Sequence, residues 1–273
     1  MGTGILLPST AMGGMGSTTE FGYGWFAPIL SYAMAVLGSG LGLRCLVRAV
    51  ALDGRAKRNW LFTGASAIGS GIWTMHFIAM LGFTVTGSDI RYNVPITVLS
   101  LIVAIVFVGV GVFAVAYGKY RGRSLLVGGL TTGLGVAAMH YLGMYALRLH
   151  GTVSYDPAVV AVSVLIAVVA ATAALWAGLN ISGPLAALGA SLVMGLAVSS
   201  MHYTGMYAMH VTVRPSEAVL PGATVMQFIF PLTVGLGSYL FLTSAFVALS
   251  PTSEDRVAAA SAERLLRASA RAR

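Results

Sequence analysis

The chain has 273 residues, of which 57% are hydrophobic and 9% charged, with a formal net charge of +8. An ordinary soluble domain is roughly one quarter charged, so this composition excludes one and places the chain in a lipid bilayer. The cations are divided among separate loops and do not cluster among aromatics on one face, which excludes a nucleic-acid partner.

The opening residues MGTGILLPSTAMGGMGS lack a basic stretch ahead of an apolar one, so no cleavable signal peptide is expected and the first span stays in the protein. Residues 1–24 read as an extracytoplasmic segment. Crossing the hydrocarbon core takes about 20 mostly apolar residues. Seven such spans follow, at about 26–48, 60–82, 95–117, 125–147, 157–179, 185–207 and 223–249. Cys45, near the inner end of the first, is the only cysteine; it excludes an intramolecular disulfide or a thiolate metal cluster and reads as a packing residue. Basic loops stay in the cytoplasm. Arg44, Arg48, Arg55, Lys57, Arg58, Lys119, Arg121 and Arg123, with the tail cations Arg256, Arg264, Arg267, Arg271 and Arg273, fall on one side; Arg91, Arg148 and Arg214 fall on the other. The N-terminus is therefore expected outside, and residues 251–273 form a short basic cytoplasmic tail.

The second, fourth and sixth spans carry one pattern: GSGIWTMHFIAML at 69–81, GLGVAAMHYLGMY at 133–145 and GLAVSSMHYTGMY at 195–207. His76 and His140 are 64 residues apart, His140 and His202 62. An internal repeat of this kind precedes any argument about a site. Each unit is an outward span with the His and a returning one, at about 60–118, 125–180 and 185–249, so all three units share one orientation, with the first span left over. Pro95, Pro157 and Pro221 mark the start of each returning span or the loop before it, where a missing N–H costs least. The expected fold is an all-α membrane protein of seven transmembrane helices, three parallel two-helix repeats plus an extra first helix.

Gly69, Gly133 and Gly195 stand seven residues before each His, and Gly71 and Gly135 five before, as small residues do where membrane helices pack closely. At about 1.5 Å per residue, His76, His140 and His202 share one layer about 24 Å from the inner boundary, in the outer half of the membrane. Met80, Met144 and Met206 lie four residues on, and so on the same helical face; Met75, Met139 and Met201 precede each His and point elsewhere. Thioether and imidazole together suit copper, Met favouring Cu(I). An intramembrane His satisfied by a carbonyl or hydroxyl, with Met filling apolar gaps, accounts for one copy, but three at one depth point to a shared site. His150 and His210 read as solvated loop residues, with metal capture as the lesser alternative. Asp89, Asp156 and Glu217 each read as pairing locally with Arg91, Arg148 or Arg214.

The three motifs, with Met201-His202-Tyr203-Thr204 spelling the tetrapeptide itself, resemble the MHYT domain, a bacterial integral-membrane sensor module. The resemblance covers residues 25–250. It implies a sensory domain of the bacterial cytoplasmic (inner) membrane that binds copper through the motif His and Met residues, His76, His140, His202, Met75, Met139 and Met201, and detects oxygen, carbon monoxide or nitric oxide. The first copy has Phe77 and Ile78 and the second Leu142 where the tetrapeptide has its Tyr or Thr, so the His and Met residues are the ligand candidates. Family members often continue into a cytoplasmic output domain. Here about 24 residues follow the last span, too few for a catalytic domain; the alternatives for them are a linker to something absent, a contact for a separate signalling partner, a helix on the inner leaflet or a solvated tail, with a homodimer as a further candidate partner.

The alternative function is a copper-ion or proton transporter, for which Thr63, Ser66, Thr131 and Ser191 offer few polar residues in the inner halves of the spans. Haem ligation stands third. A retinal Schiff base is excluded because Lys57 and Lys119 both lie in loops. With no phosphate-binding glycine loop, no triad and every acidic residue outside the spans, no enzyme activity is expected.

Overall fold

The computed structural model describes residues 14–15, 18–19, 24–181, 183–214 and 216–250. Most of the expected N-terminal segment and the whole basic tail 251–273 lie outside them. Seven helices are long and apolar enough to cross a membrane: α1 (Phe26–Val50), α2 (Gly54–Leu81), α3 (Val94–Tyr117), α4 (Arg121–Tyr145), α5 (Pro157–Asn180), α6 (Pro184–Tyr207) and α7 (Phe230–Leu249), the last entered through a π-helical turn, Val225–Ile229. The core of every expected span is helical. α2 and α4 begin earlier than expected, because Arg55, Lys57, Arg58, Arg121 and Arg123 carry good helix formers past the apolar stretch.

Local chemistry fixes the starts of the returning helices. Asn93 Oδ1 accepts a hydrogen bond from Ile96 N at 3.1 Å, and Asp156 Oδ1 accepts from Ala158 N at 2.8 Å and Val159 N at 3.2 Å. These caps satisfy N–H groups that have no partner within the helix, and Pro95 and Pro157 occupy the first turns. Thr224 and Gln227 form a reciprocal capping box ahead of α7.

The helices form a closed ring in sequence order from α1 to α6, with α1 packed against both α2 and α6, while α7 lies outside the ring on α1 and α2. The glycines show why. A methyl built on Gly69 would reach the backbone of Ile105 on α3, one on Gly133 the backbone of Val168 on α5, and one on Gly195 Val36 on α1. Gly71 and Gly135 meet Gly38 on α1 and Phe107 on α3, so the glycine five before His76 and before His140 faces the preceding helix. In space α1 occupies the slot after α6 that α3 and α5 occupy after α2 and α4. The sequence repeat pairs α6 with α7, but it is α1 that completes the threefold ring.

Backbone contacts at these glycines give a measurable expectation. At Gly133 the added methyl would meet Val168 N at 2.7 Å and Ala167 O at 2.9 Å, so α4 and α5 must separate. Gly133→Ala is expected to destabilise the protein by about 1–3 kcal/mol, as overpacking does, read as an earlier unfolding midpoint in detergent; an unchanged midpoint contradicts this packing.

Large apolar side chains cover the outside, among them Leu99, Ile102, Val106 and Val110 of α3 and Val162, Leu165 and Val169 of α5. Their spacing of three or four residues is a lipid-facing stripe. α2 is the most enclosed helix, with 83% of its most apolar window buried against 22% for α5, because α1, α3 and α7 all cover it. Cys45 is fully buried against Gly64, as a packing residue would be.

The links expected to be plain loops carry strands at the His end of the ring: β1 (Gly14–Met15), β2 (Thr18–Thr19), β3 (Thr84–Val85), β4 (Arg91–Tyr92), β5 (Leu147–Arg148), β6 (Gly151–Tyr155) and β7 (Met209–Val213). They pair antiparallel as β1-β7-β6, β2-β3 and β4-β5. The expected local ion pairs are replaced here. Asp156 is a helix cap, the Arg91 guanidinium donates to Gly222 O at 3.2 Å, and Arg148 lies over the Tyr145 ring. Among the described residues no ion pair joins these groups, because backbone carbonyls and amides are nearer partners.

Candidate metal centre

Each motif His lies five residues before the last residue of its helix, α2, α4 or α6. The shared depth is thus a shared distance from the strand cap. His76, His140 and His202 are all buried, at 1%, 1% and 2% exposure. Their rings meet edge to face, and the three Nδ1 atoms form a triangle. The edges are 3.0 Å from His76 to His202, 3.2 Å from His76 to His140 and 3.4 Å from His140 to His202. The centre of such a triangle is about 1.9 Å from each corner, against about 2.0–2.1 Å for a metal–imidazole bond to zinc. These three residues form a group able to hold a metal ion.

The triangle has a chemical requirement. One of the three Nδ1 atoms can carry a proton and donate to its neighbours, but the other two then face each other with lone pairs, which repel. A cation at the centre would use all three lone pairs at once. The opposite nitrogens, His76 Nε2 and His140 Nε2, are buried without a hydrogen-bond partner. A methyl on Gly143 would come within 2.7 Å of His76 Nε2, and one on Gly205 would overlap His140 Nε2. The glycine three after His140 and after His202 therefore makes room for the imidazole of the preceding copy. Ala79 holds that position in the first copy. This use of the small position was missed in the sequence, although the Ala/Gly/Gly series was readable there.

Aromatic residues brace the rings. His76, His140 and His202 each stand edge-on to the following Phe77, Tyr141 or Tyr203, at centroid distances of 4.6, 4.8 and 4.9 Å. Phe77 in turn contacts Tyr92, and Tyr141 contacts Tyr155, in the strand cap. Burial, and then the neighbouring Tyr141, push the Tyr155 phenol up to about 12; burial alone raises that of Tyr92. Both stay neutral and add no charge above the site. Trp73 Nε1 donates to Ser100 Oγ at 2.9 Å and Tyr141 hydrogen-bonds Ser163 Oγ at 2.6 Å, which ties the His helices to the returning ones.

The motif methionines Met75, Met139, Met201, Met80, Met144 and Met206 are all buried. Met201 lines a cavity on the side of the layer away from the strands, and Met144 a groove on the strand side. The positions before and four after the His thus flank the imidazole layer from opposite faces. His150 and His210 take no part in the triangle: their Nδ1 atoms contact Ser216 O at 2.8 Å and Ala208 O at 3.2 Å.

Seven membrane-length helices, six of them ringing a buried histidine triangle, define a multi-pass membrane module with a metal-competent centre. The family model for MHYT, described as a bacterial signalling protein N terminal repeat, matches residues 69–129, 133–191 and 195–252. The chain belongs to that family, and each matched segment starts on the glycine seven residues before its His. Similar proteins include the bifunctional diguanylate cyclase/cyclic di-GMP phosphodiesterase MucR of Pseudomonas aeruginosa, 39% identical over 65% of this chain and 27% of the relative. The cyclic di-GMP phosphodiesterase NbdA of the same organism is 36% identical over 67% of this chain and 25% of its own length. The signaling protein YkoW of Bacillus subtilis is 29% identical, over 66% and 23%. The chain spans about a quarter of the length of the curated relatives it matches. No solved structure matches it.

Proposed function

We propose that the chain is a sensor module of the bacterial inner membrane, N-terminus outside, that holds one copper ion in the His76–His140–His202 triangle. It responds to oxygen, carbon monoxide, nitric oxide or redox state and passes the response to the cytoplasm, with no reaction of its own. The single observation that carries this reading is the convergence of three Nδ1 atoms from three repeats to edges of 3.0–3.4 Å.

Copper in its cuprous state suits the site for two reasons. The ligands are neutral imidazoles, and every described carboxylate lies outside the helices, so the ion's charge is not neutralised nearby. The cost of charge in a medium of low permittivity grows with its square, so a singly charged ion bears about a quarter of the cost of a doubly charged one. In addition, three nitrogens in one plane give three-coordination, where structural zinc takes four, and buried thioethers beside the layer favour the soft ion. When bound, copper would supply an electron and an open face to a small ligand. The chain's own residues hold the ion, exclude water from it and keep the rings in place.

The output path is supported at the opposite end of α2. Arg48 lies over the Trp60 ring of α2 at 4.9 Å, and its Nη2 donates to Ser250 O at 3.0 Å, at the end of α7. α2 therefore carries His76 near one end and, at the other, is linked through Arg48 of α1 to the exit of the last helix, toward a cytoplasmic signalling partner.

The transporter reading is weaker because, among the described residues, no continuous chain of side-chain hydrogen bonds runs inward from the layer. Thr63 and Ser191 hydrogen-bond carbonyls of their own helices, and Ser66 accepts from Tyr239. Anaerobic reconstitution with Cu(I) tests the proposal: about one copper per chain is expected, with three nitrogen neighbours by X-ray absorption, and no bound copper overturns it.

A further inference from the structure

A cavity of about 40 Å³ lies inside the ring, lined by residues from all six ring helices. Helical spacing places it. Ile72, Val136 and Val198 stand four residues before the three histidines, and Ile68, Thr132 and Met194 eight before. One turn and two turns of each His helix therefore wall it on the side away from the strands, and it lies beneath the imidazole layer. Its volume exceeds the roughly 10–15 Å³ that one water occupies, yet apolar cavities of this kind stay dry and take up xenon or other apolar guests. A packed interior rarely keeps such a void, and an empty one costs stability.

We propose that this chamber is a docking site for one uncharged diatomic molecule of the oxygen, nitric oxide and carbon monoxide class, held directly beneath the triangle. Three observations converge. The walls are almost wholly hydrocarbon, which admits a neutral gas and rejects hydrated ions. The surrounding bilayer dissolves such gases better than water does, which raises their concentration around the ring. Ser39 and Thr132 are the only hydroxyl side chains in the lining, and Thr132 Oγ1 packs against Gly111 of α3, so the wall presents little polar surface to a guest.

The purpose of the chamber rests on the gas-responsive reading of the metal centre, but its existence does not, and the test separates them. Metal-free protein in detergent or nanodiscs is equilibrated with xenon and followed by ¹²⁹Xe exchange and by the methyl signals of Ile72 and Val136. A saturable site that shifts those methyls is expected in the wild type. Ala171→Leu, on α5 in the chamber wall, and Val108→Leu, on α3, fill the space from two sides and are expected to abolish the xenon shift. In copper-loaded protein the same variants should slow gas association about tenfold or more while copper content is unchanged. No saturable xenon site in the wild type, or wild-type xenon shifts in both variants, overturns the chamber. Loss of copper binding in the wild type would instead overturn the metal reading and leave the xenon result standing.

Discussion

His140→Ala is expected to lower Cu(I) affinity by at least about a hundredfold, since even residues that merely orient a metal ligand cost 10–100-fold and here one of three nitrogens is lost. Equivalent losses are expected for His76→Ala and His202→Ala, because the three edges of the triangle differ by less than half an ångström. Competition with a chromophoric Cu(I) chelator measures the affinity, and circular dichroism checks the helices. A second readout separates a ligand from a packing residue. His140 Nε2 is buried with no partner, and an unpaired buried polar group costs about 1–3 kcal/mol. His140→Leu should therefore leave the metal-free protein as stable as the wild type or more so, while copper binding is lost. Wild-type affinity in all three alanine variants would sink the triangle as a metal site. A large loss of metal-free stability in His140→Leu would show that the ring is there to pack.

The spans, the repeat and the common depth of the histidines were legible because each rests on local information: apolar length, spacing and rise per residue. The side of each glycine was partly legible as well, since Gly69 and Gly71 are two residues apart and must face different neighbours. Which neighbour was not. That α1 fills the slot after α6, leaving α7 outside on α1 and α2, is a packing choice among apolar helices, and no periodicity encodes it. The strands were readable in principle. MHVTV alternates buried and exposed residues, and GTVSY is rich in β-branched and hydroxyl side chains. They were hidden because two-residue pairings such as β4 with β5 depend on the helices that bring them together. The choice of Nδ1 over Nε2 as the inward nitrogen is a matter of side-chain rotation, which spacing cannot give. Which methionine sulfurs approach the imidazoles is likewise set by side-chain rotation and not by spacing.

Gly205→Ala is the sharpest test of how the layer is built. The added methyl would overlap His140 Nε2 and lie 3.0 Å from Cδ2 and 3.3 Å from Cε1, so three atoms of one ring must move together. The ring has little freedom to do so, because Tyr141 stands against it and the other two imidazoles share its inward nitrogen's space. Displacing Nδ1 by even a few tenths of an ångström lengthens one metal bond out of three. Copper affinity is therefore expected to fall about ten- to a hundredfold, in the range of second-sphere losses, with a destabilisation of about 1–3 kcal/mol from overpacking. Gly143→Ala should act likewise on His76, where the methyl would meet Nε2 at 2.7 Å, Cδ2 at 3.2 Å and Phe77 Cζ at 3.3 Å. Two controls bracket the effect. Gly189→Ala, on the same helix as Gly205 but with nothing within 4 Å, should be neutral or stabilising by up to about 1 kcal/mol from helix propensity. Ala79→Gly, in the copy that already carries the methyl, should leave copper affinity unchanged. If Gly205→Ala and Gly189→Ala bind copper equally well, the small residue of the motif is a helix-packing device and has no part in seating the imidazole. If Gly205→Ala loses affinity and Gly189→Ala does not, the spacing of His and glycine in the second and third copies is explained by one contact, made to the imidazole of the preceding copy.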